Sequence, residues 1–338
     1  MPKRGGGRMT GFTLIELMVA MLLGLIVIGG VVSVFLANQQ VYRTNNALGD
    51  VQDSSRVAFE MLAQNIREAG LLGCSNNGQV ANVLQNGPNA GGSVWWADWS
   101  NALRGYGNGT AANPALTTGA AAGNQVSGTD SLMLLNAADV GLSIAGQNQA
   151  TATFTLNAAN GDLAAGRVMI VCDPDHATIF RASSYDSSAK TVGFAQLPAG
   201  GTSAVNCSTG LGYPSVCTPV GTAYVFGANA SIARLAAGVW YIGSNPDLGR
   251  SLYRADVDTS AGTVTSQEMV RGVTSMDIRY HEAAQPSFVS AKDVSDWSAV
   301  NAVQVSLAMQ SADARAGVDS APITRKFMVT STVRNRVN

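Results

Sequence analysis

One stretch constrains this chain more than any other. Residues 12–37 read FTLIELMVAMLLGLIVIGGVVSVFLA and hold a single charged residue, Glu16. As a helix the stretch would be about 39 Å long. That exceeds the hydrocarbon core of a bilayer, ~30 Å thick. Lys3, Arg4 and Arg8 precede it with no acid among them, and the next charge beyond it is Arg43. The positive-inside rule then places the N-terminus in the cytoplasm and exports the residues beyond the stretch. The run is longer than the roughly 7–15 apolar residues of a cleaved signal peptide. It also ends in Phe35-Leu36-Ala37-Asn38, which offers no small-x-small cleavage site. A retained anchor fits better, yet an anchor leaves Glu16 unexplained. A carboxylate in lipid costs on the order of a few kcal/mol, less near a helix end. Glu16 therefore either snorkels to the headgroups or has a function.

Composition narrows what the rest can be. With 338 residues and 46% hydrophobic content, a packed core is attainable and global disorder is excluded. Charged residues make up only 13% and the net charge is -1. Those figures give no electrostatic case for nucleic-acid binding. The two histidines, His176 and His281, narrow the repertoire for acid–base catalysis. The four cysteines, Cys74, Cys172, Cys207 and Cys217, form no CxxC, which disfavours zinc ribbons and thioredoxin-type sites. Behind an export anchor, an even number of cysteines favours disulfides.

Periodicity extends the helix beyond the apolar run. Val41, Leu48, Val51, Ala58, Leu62, Ile66 and Ala69 follow spacings of three, four and seven, and Gly70 suits a terminator. Residues 75–129 are rich in Gly, Asn and Ala and read as a long, partly ordered insertion, with Trp95, Trp96 and Trp99 capping an apolar surface or forming a sugar platform. Strand-like runs come after it at 131–135, 151–156, 167–172, 177–182, 191–196, 222–226, 238–242, 251–254, 273–280, 302–309 and 326–333. They do not alternate with helices, which argues against a doubly wound fold. The expectation is an antiparallel sheet packed on the amphipathic half of the helix.

Gly11-Phe12-Thr13-Leu14-Ile15-Glu16, with a basic leader before it and the apolar run after it, closely resembles the class III signal of type IV prepilins. The resemblance implies cleavage by a prepilin peptidase between Gly11 and Phe12, methylation of the new amine on Phe12, and a role for Glu16 in subunit assembly. It divides the chain into a leader (1–11), a membrane or fibre-core half of the helix (12–37), an amphipathic half (38–70) and a periplasmic or extracellular β-rich domain (71–338). Many members of that family carry a helix-breaking proline in the membrane half; here Ser33 stands in that region. The segments QNIREAGLLGC (64–74), VCDPDHATIFRAS (171–183), VWYIGSNP (239–246), SLYRAD (251–256), MVRGVTSMDIRYHE (269–282) and VTSTVRNRVN (329–338) are, in that order, similar to the PilW family of minor pilins, itself related to J-type pseudopilins of type II secretion. That resemblance implies an α+β, pilin-like fold and a structural protein without cofactor or catalysis. Its implied partners are other minor pilins, the major pilin, a tip adhesin and the inner-membrane assembly platform. Its implied location is the inner membrane before assembly and the pilus afterwards. A secretion pseudopilin, or an anchored periplasmic enzyme or sugar-binding module, is the alternative.

Other residue groups admit a chemical and a structural account. Cys207 and Cys217 enclose a short loop with Gly and Pro, which favours a bridge between them; Cys74 and Cys172 then pair by elimination, although four cysteines allow three pairings. Asp173, Asp175 and His176 could hold a metal, but with Pro174 among them a turn is simpler. Asp256, Asp258 and Ser260 begin like a calcium loop, which then lacks its glycine at Ala261 and its acid at Gln267. Gly141-Leu142-Ser143-Ile144-Ala145 approximates a nucleophile elbow without the final glycine. Arg325, Lys326, Arg334 and Arg336 suit a solvated edge strand, or could help retain DNA on a pilus.

Overall fold

The computed structural model describes residues 11–74, 79–85, 94–107, 110, 113–197, 204–247, 249–283, 285–317 and 319–336. The leader residues Lys3, Arg4 and Arg8 and parts of the 75–129 insertion lie outside them. The chain forms two compact units, Met1–Asp50 with Ser311–Ile323, and Val51–Gln310 with Thr324–Asn338. A single helix, α1 (Leu14–Glu68), contributes to both. It runs unbroken through Gly24, Gly29 and Gly30, and Ser33 turns its hydroxyl back onto the Gly30 carbonyl at 3.2 Å. Without a proline in this stretch no backbone donor is missing from the ladder.

In the larger unit α1 buries one face. Val51, Ser55, Ala58, Leu62, Ile66 and Ala69 are buried at steps of three and four residues, which returns them to one side of the helix. Val41, expected on that face, is 58% exposed. Gly70 ends the helix at φ 71°, a left-handed conformation that glycine adopts without a Cβ penalty. Its N–H donates to the Leu135 carbonyl at 2.8 Å, and its own carbonyl accepts from Asn335 Nδ2 at 2.7 Å.

The strands are β1 (Gln79–Asn82), β2 (Leu84–Gln85), β3 (Leu103–Tyr106), β4 (Ser131–Asn148), β5 (Thr153–Leu156), β6 (Val168–Cys172), β7 (His176–Arg181), β8 (Ser184–Asp186), β9 (Thr191–Gly193), β10 (Val205–Asn206), β11 (Ser231–Asn245), β12 (Gly249–Asp258), β13 (Thr263–Arg271), β14 (Val273–Glu282), β15 (Val300–Gln310) and β16 (Thr324–Thr332). The large sheet runs β1-β7-β6-β11-β4-β5-β9-β8, with β3 on β4 and β12-β13 on β11. β14-β15-β16 form a second sheet and β2-β10 a short ribbon. The helix face, Leu132, Trp240, Ile242 and Leu252 of the large sheet, and Met276, Ile278, Val303, Val305 and Leu307 of the second share one core. Trp240 sends its indole N–H to Asn65 on α1 at 3.1 Å, so the one polar group of that ring is partnered. Asp130 links the two sheets by accepting the Ile278 N–H at 2.8 Å, and burial raises its carboxyl above the usual range.

The architecture is α+β, as the helix-then-strands order implies, but several details differ from the sequence reading. β4 and β11 are far longer than the runs that marked them, because small residues fill their middles. β13 shows five consecutive exposed residues and carried no alternating pattern. Residues 222–226 are irregular rather than a strand. The sheet is also not wholly antiparallel: β1 runs parallel to β7, with Gln79 opposite His176. The Cys74–Cys172 bridge ties the chain just ahead of β1 to the end of β6, the strand beside β7. In the insertion, Trp96 is buried and Trp95 and Trp99 are half-buried over a core with Leu135 and Ile170, so the cluster caps apolar surface. Arg336 does not belong to a solvated edge. Its guanidinium donates to the carbonyls of Trp297 (2.6 Å) and Val300 (3.2 Å), and burial lowers its pKa.

Leu62 is 1% exposed and Val57, on the opposite face of α1, is 50% exposed. Leu62→Ala should therefore cost about 2–5 kcal/mol, and Val57→Ala no more than about 0.5 kcal/mol. Urea unfolding of the full chain in detergent, monitored by circular dichroism, measures both; equal losses would contradict this packing.

Candidate assembly site

The N-terminal unit presents the prepilin-like residues together. Gly11 and Phe12 precede the first turn of α1, and Phe12 is 88% exposed. Every large apolar side chain from Leu14 to Leu36 is exposed. A contiguous apolar surface of this size needs a lipid or protein environment. The helix is long and apolar enough to cross a membrane.

Glu16 is not isolated at the helix start. Its carboxylate accepts from the Thr13 N–H at 3.4 Å and from the Thr13 hydroxyl at 3.3 Å. The Glu16 N–H in turn donates to Thr13 Oγ1 at 3.2 Å. This is a capping box, in which two residues satisfy each other's backbone donors at the turn where a helix leaves four of them free. The acid also faces the positive end of the helix dipole. The sequence reading missed Thr13; its signal was the Thr-x-x-Glu spacing directly ahead of the apolar run.

The same unit holds a second contact that no periodicity could announce. Gln40 Nε2 lies 3.2, 3.1 and 3.0 Å from the carbonyls of Arg315, Ala316 and Gly317. Thr44 donates its hydroxyl to the Ala316 carbonyl at 2.6 Å. Ala47, Ala316 and Ile323 form a small buried cluster beneath these bonds. The connection 311–323 is thus fastened to α1 just beyond the membrane-length segment.

The remaining groups resolve into structural roles. The cysteines form Cys74–Cys172 and Cys207–Cys217 bridges. Asp173 Oδ1 accepts the N–H groups of Asp175 (3.1 Å) and His176 (2.8 Å), and its Oδ2 accepts from the Tyr224 hydroxyl at 2.7 Å. His176 Nε2 is 2.7 Å from the Leu211 carbonyl, and its ring packs tilted against Tyr224 with centroids 4.1 Å apart. Asp173 therefore organises a turn. Among the described residues no group of three His, Cys, Asp or Glu is placed to hold a metal. Burial, with a lesser push from Asp173, raises the Tyr224 phenol to about 12. Asp258 accepts from the backbone and hydroxyl of Ser260, which lowers its pKa and closes a hairpin turn. Ser143 lies within β4, where its hydroxyl accepts from Asn157 at 2.6 Å; no strand-to-helix elbow forms there.

Comparison with known proteins matches two parts of the chain. Residues 8–32 match the prokaryotic N-terminal methylation motif, and residues 239–335 match the family described as type IV pilus-assembly protein W. No curated protein and no solved structure matches the chain. The signal at the head of α1 and the strands behind it define a type IV pilin, a substrate of prepilin peptidase that the apolar helix anchors in the inner membrane until it enters a pilus. The second match, from the latter half of β11 to the final turn, is more particular: residues 239–335 are similar to the PilW family of minor pilins.

The two bridges close loops of very different size, with sequence separations of 98 and 10. Replacing Cys74 and Cys172 by Ser should cost about 2–5 kcal/mol, and replacing Cys207 and Cys217 should cost less. Thermal unfolding of both variants decides the order. A raised phenol favours the folded state fully below pH 10 and loses that contribution as pH climbs from 10 toward 12. Phenolate absorbance should therefore show a group ionising near pH 12 that Tyr224→Phe removes.

Proposed function

We propose that the peptidase cuts between Gly11 and Phe12, that the new Phe12 amine is methylated, and that the trimmed chain joins other minor pilins in starting a pilus at its tip. The division into leader 1–11, fibre-core half 12–37, amphipathic half 38–70 and exported domain 71–338 goes with this reading. The observation that supports it is the position of the Gly11–Phe12 bond, just ahead of a helix whose first turn holds Glu16 and whose next large side chains are uniformly exposed and apolar.

Cleavage creates a cation at Phe12. In a fibre, Glu16 of one subunit pairs with the Phe12 amine of a neighbour. At about 4 Å and an effective dielectric near 20 the attraction is ~4 kcal/mol, and desolvation offsets part of it. Glu16 must leave Thr13 to make that pair. The two bonds its carboxylate accepts from Thr13 are 3.4 and 3.3 Å, long for hydrogen bonds, so the exchange gives up little. The pair then sets register and order of addition more than bulk affinity. The work of the protein is binding and templating. Its partners are the peptidase, the assembly platform, other minor pilins, the major pilin and a tip adhesin.

Mass spectrometry of the mature protein should find methylated Phe12 as its first residue, and a chain still beginning at Met1 in cells with an active peptidase overturns the reading. Glu16→Ala should insert into the membrane normally and be lost from sheared pili; undiminished incorporation refutes the charge pair. Immunogold labelling should mark fibre ends, and labelling along the whole shaft refutes the tip position.

A further inference from the structure

A cavity of about 420 Å³ in the larger unit has no part in the assembly reading. It lies where the large sheet forks. Along one edge β11 pairs continuously with β4 from Ala233 to Tyr241. Along the other, β6 stops at Arg234 and β12 begins at Gly238. Leu235, Ala236 and Ala237 therefore have no strand partner on that edge among the described residues, and the cavity opens there.

Its walls carry Arg167, Arg234, Arg254, Asp256, Asp258 and Thr265. Arg254 lies over the Trp240 ring at 5.8 Å and gives one Nη2 contact of 2.9 Å to Asp256. Nε of Arg254 and Nε of Arg234 are both buried without a hydrogen-bond partner. Buried donors in a native fold are nearly always satisfied, so two unsatisfied guanidinium donors on one cavity call for an acceptor. Gly238, next to this edge, leaves these groups room: a Cβ there would stand 3.1 Å from Asp256 Oδ1 and 3.3 Å from Arg254 Nε.

The charges decide which acceptor. Three guanidinium groups against two carboxylates leave one positive charge, which a single carboxylate neutralises. A phosphate dianion would overshoot and meet Asp256 and Asp258. Those acids accept hydrogen bonds and so suit hydroxyl donors. Arg forks bind carboxylates in a fixed planar geometry. The volume falls in the range of small-molecule pockets, roughly 300–1,000 Å³. We propose that the fork binds an acidic sugar residue, with its carboxylate held by Arg234, Arg254 and Arg167 and its hydroxyls by Asp256 and Asp258.

Calorimetric titration of the purified full chain in detergent tests this with D-glucuronate, D-glucose and inorganic phosphate. Glucuronate should bind and the other two should not. Arg234→Gln and Arg167→Gln should each weaken glucuronate binding by about tenfold or more; Arg167 lies outside the strands, so its variant tests the site if the Arg234 variant fails to fold. An oligogalacturonate that binds more tightly than glucuronate assigns the site to a polysaccharide chain, and equal affinity assigns it to the free sugar. Failure of glucuronate to bind, equal binding of glucose or phosphate, or unchanged affinity in a folded Arg167→Gln chain overturns the proposal.

Discussion

One helix must satisfy two different solvents, and the rest of the molecule answers to that. The first half of α1 is apolar on all sides and its side chains are exposed. The second half is apolar on one side only, and that side is buried. A helix apolar all round is stable only inside lipid or protein, whereas a one-sided helix needs a core to cover its stripe. The exported residues supply that core with two sheets meeting on Leu62, Ile66 and Ala69.

Close backbone approaches hold the sheets to one another. Tyr280 is fully buried on β14, and a Cβ at Gly105 on β3 would collide with its hydroxyl. Only glycine at that position lets the ring lie between the two sheets. Burial raises the Tyr280 phenol well above its ordinary value, so the ring acts there as a large apolar filler. Elsewhere four phenylalanines, Phe154, Phe180, Phe194 and Phe226, build a second core, with Phe154 at 5.5, 4.6 and 6.2 Å from the other three rings. Phe226 joins it from an irregular segment, which explains why an apolar run at 222–226 imitated a strand.

The legible features were those written in adjacent residues. The anchor, its orientation, the helix stripe from Val51 to Ala69, the Gly70 terminator and the runs for β6, β7, β14, β15 and β16 all depend on local spacing. The illegible ones depend on partners far away in the chain. Gln40 is an unremarkable polar residue until carbonyls 275 to 277 positions later reach it. The parallel pairing of β1 with β7, and the Cys74–Cys172 bridge across 98 residues beside it, join segments far apart in the chain. Thr13 is an exception: its capping pattern is local, but Glu16 reads as a lone acid unless the residue three before it is taken with it.

By itself, then, the order of residues decided that this chain is anchored, exported and built on a long helix, because bilayer thickness and helical periodicity act on contiguous sequence. Tertiary structure alone decided the fork in the large sheet and the company that Arg167, Arg234 and Arg254 keep there. Those three come from separate strands and a loop, and a shared charge environment exists only once the backbone has brought them to one cavity.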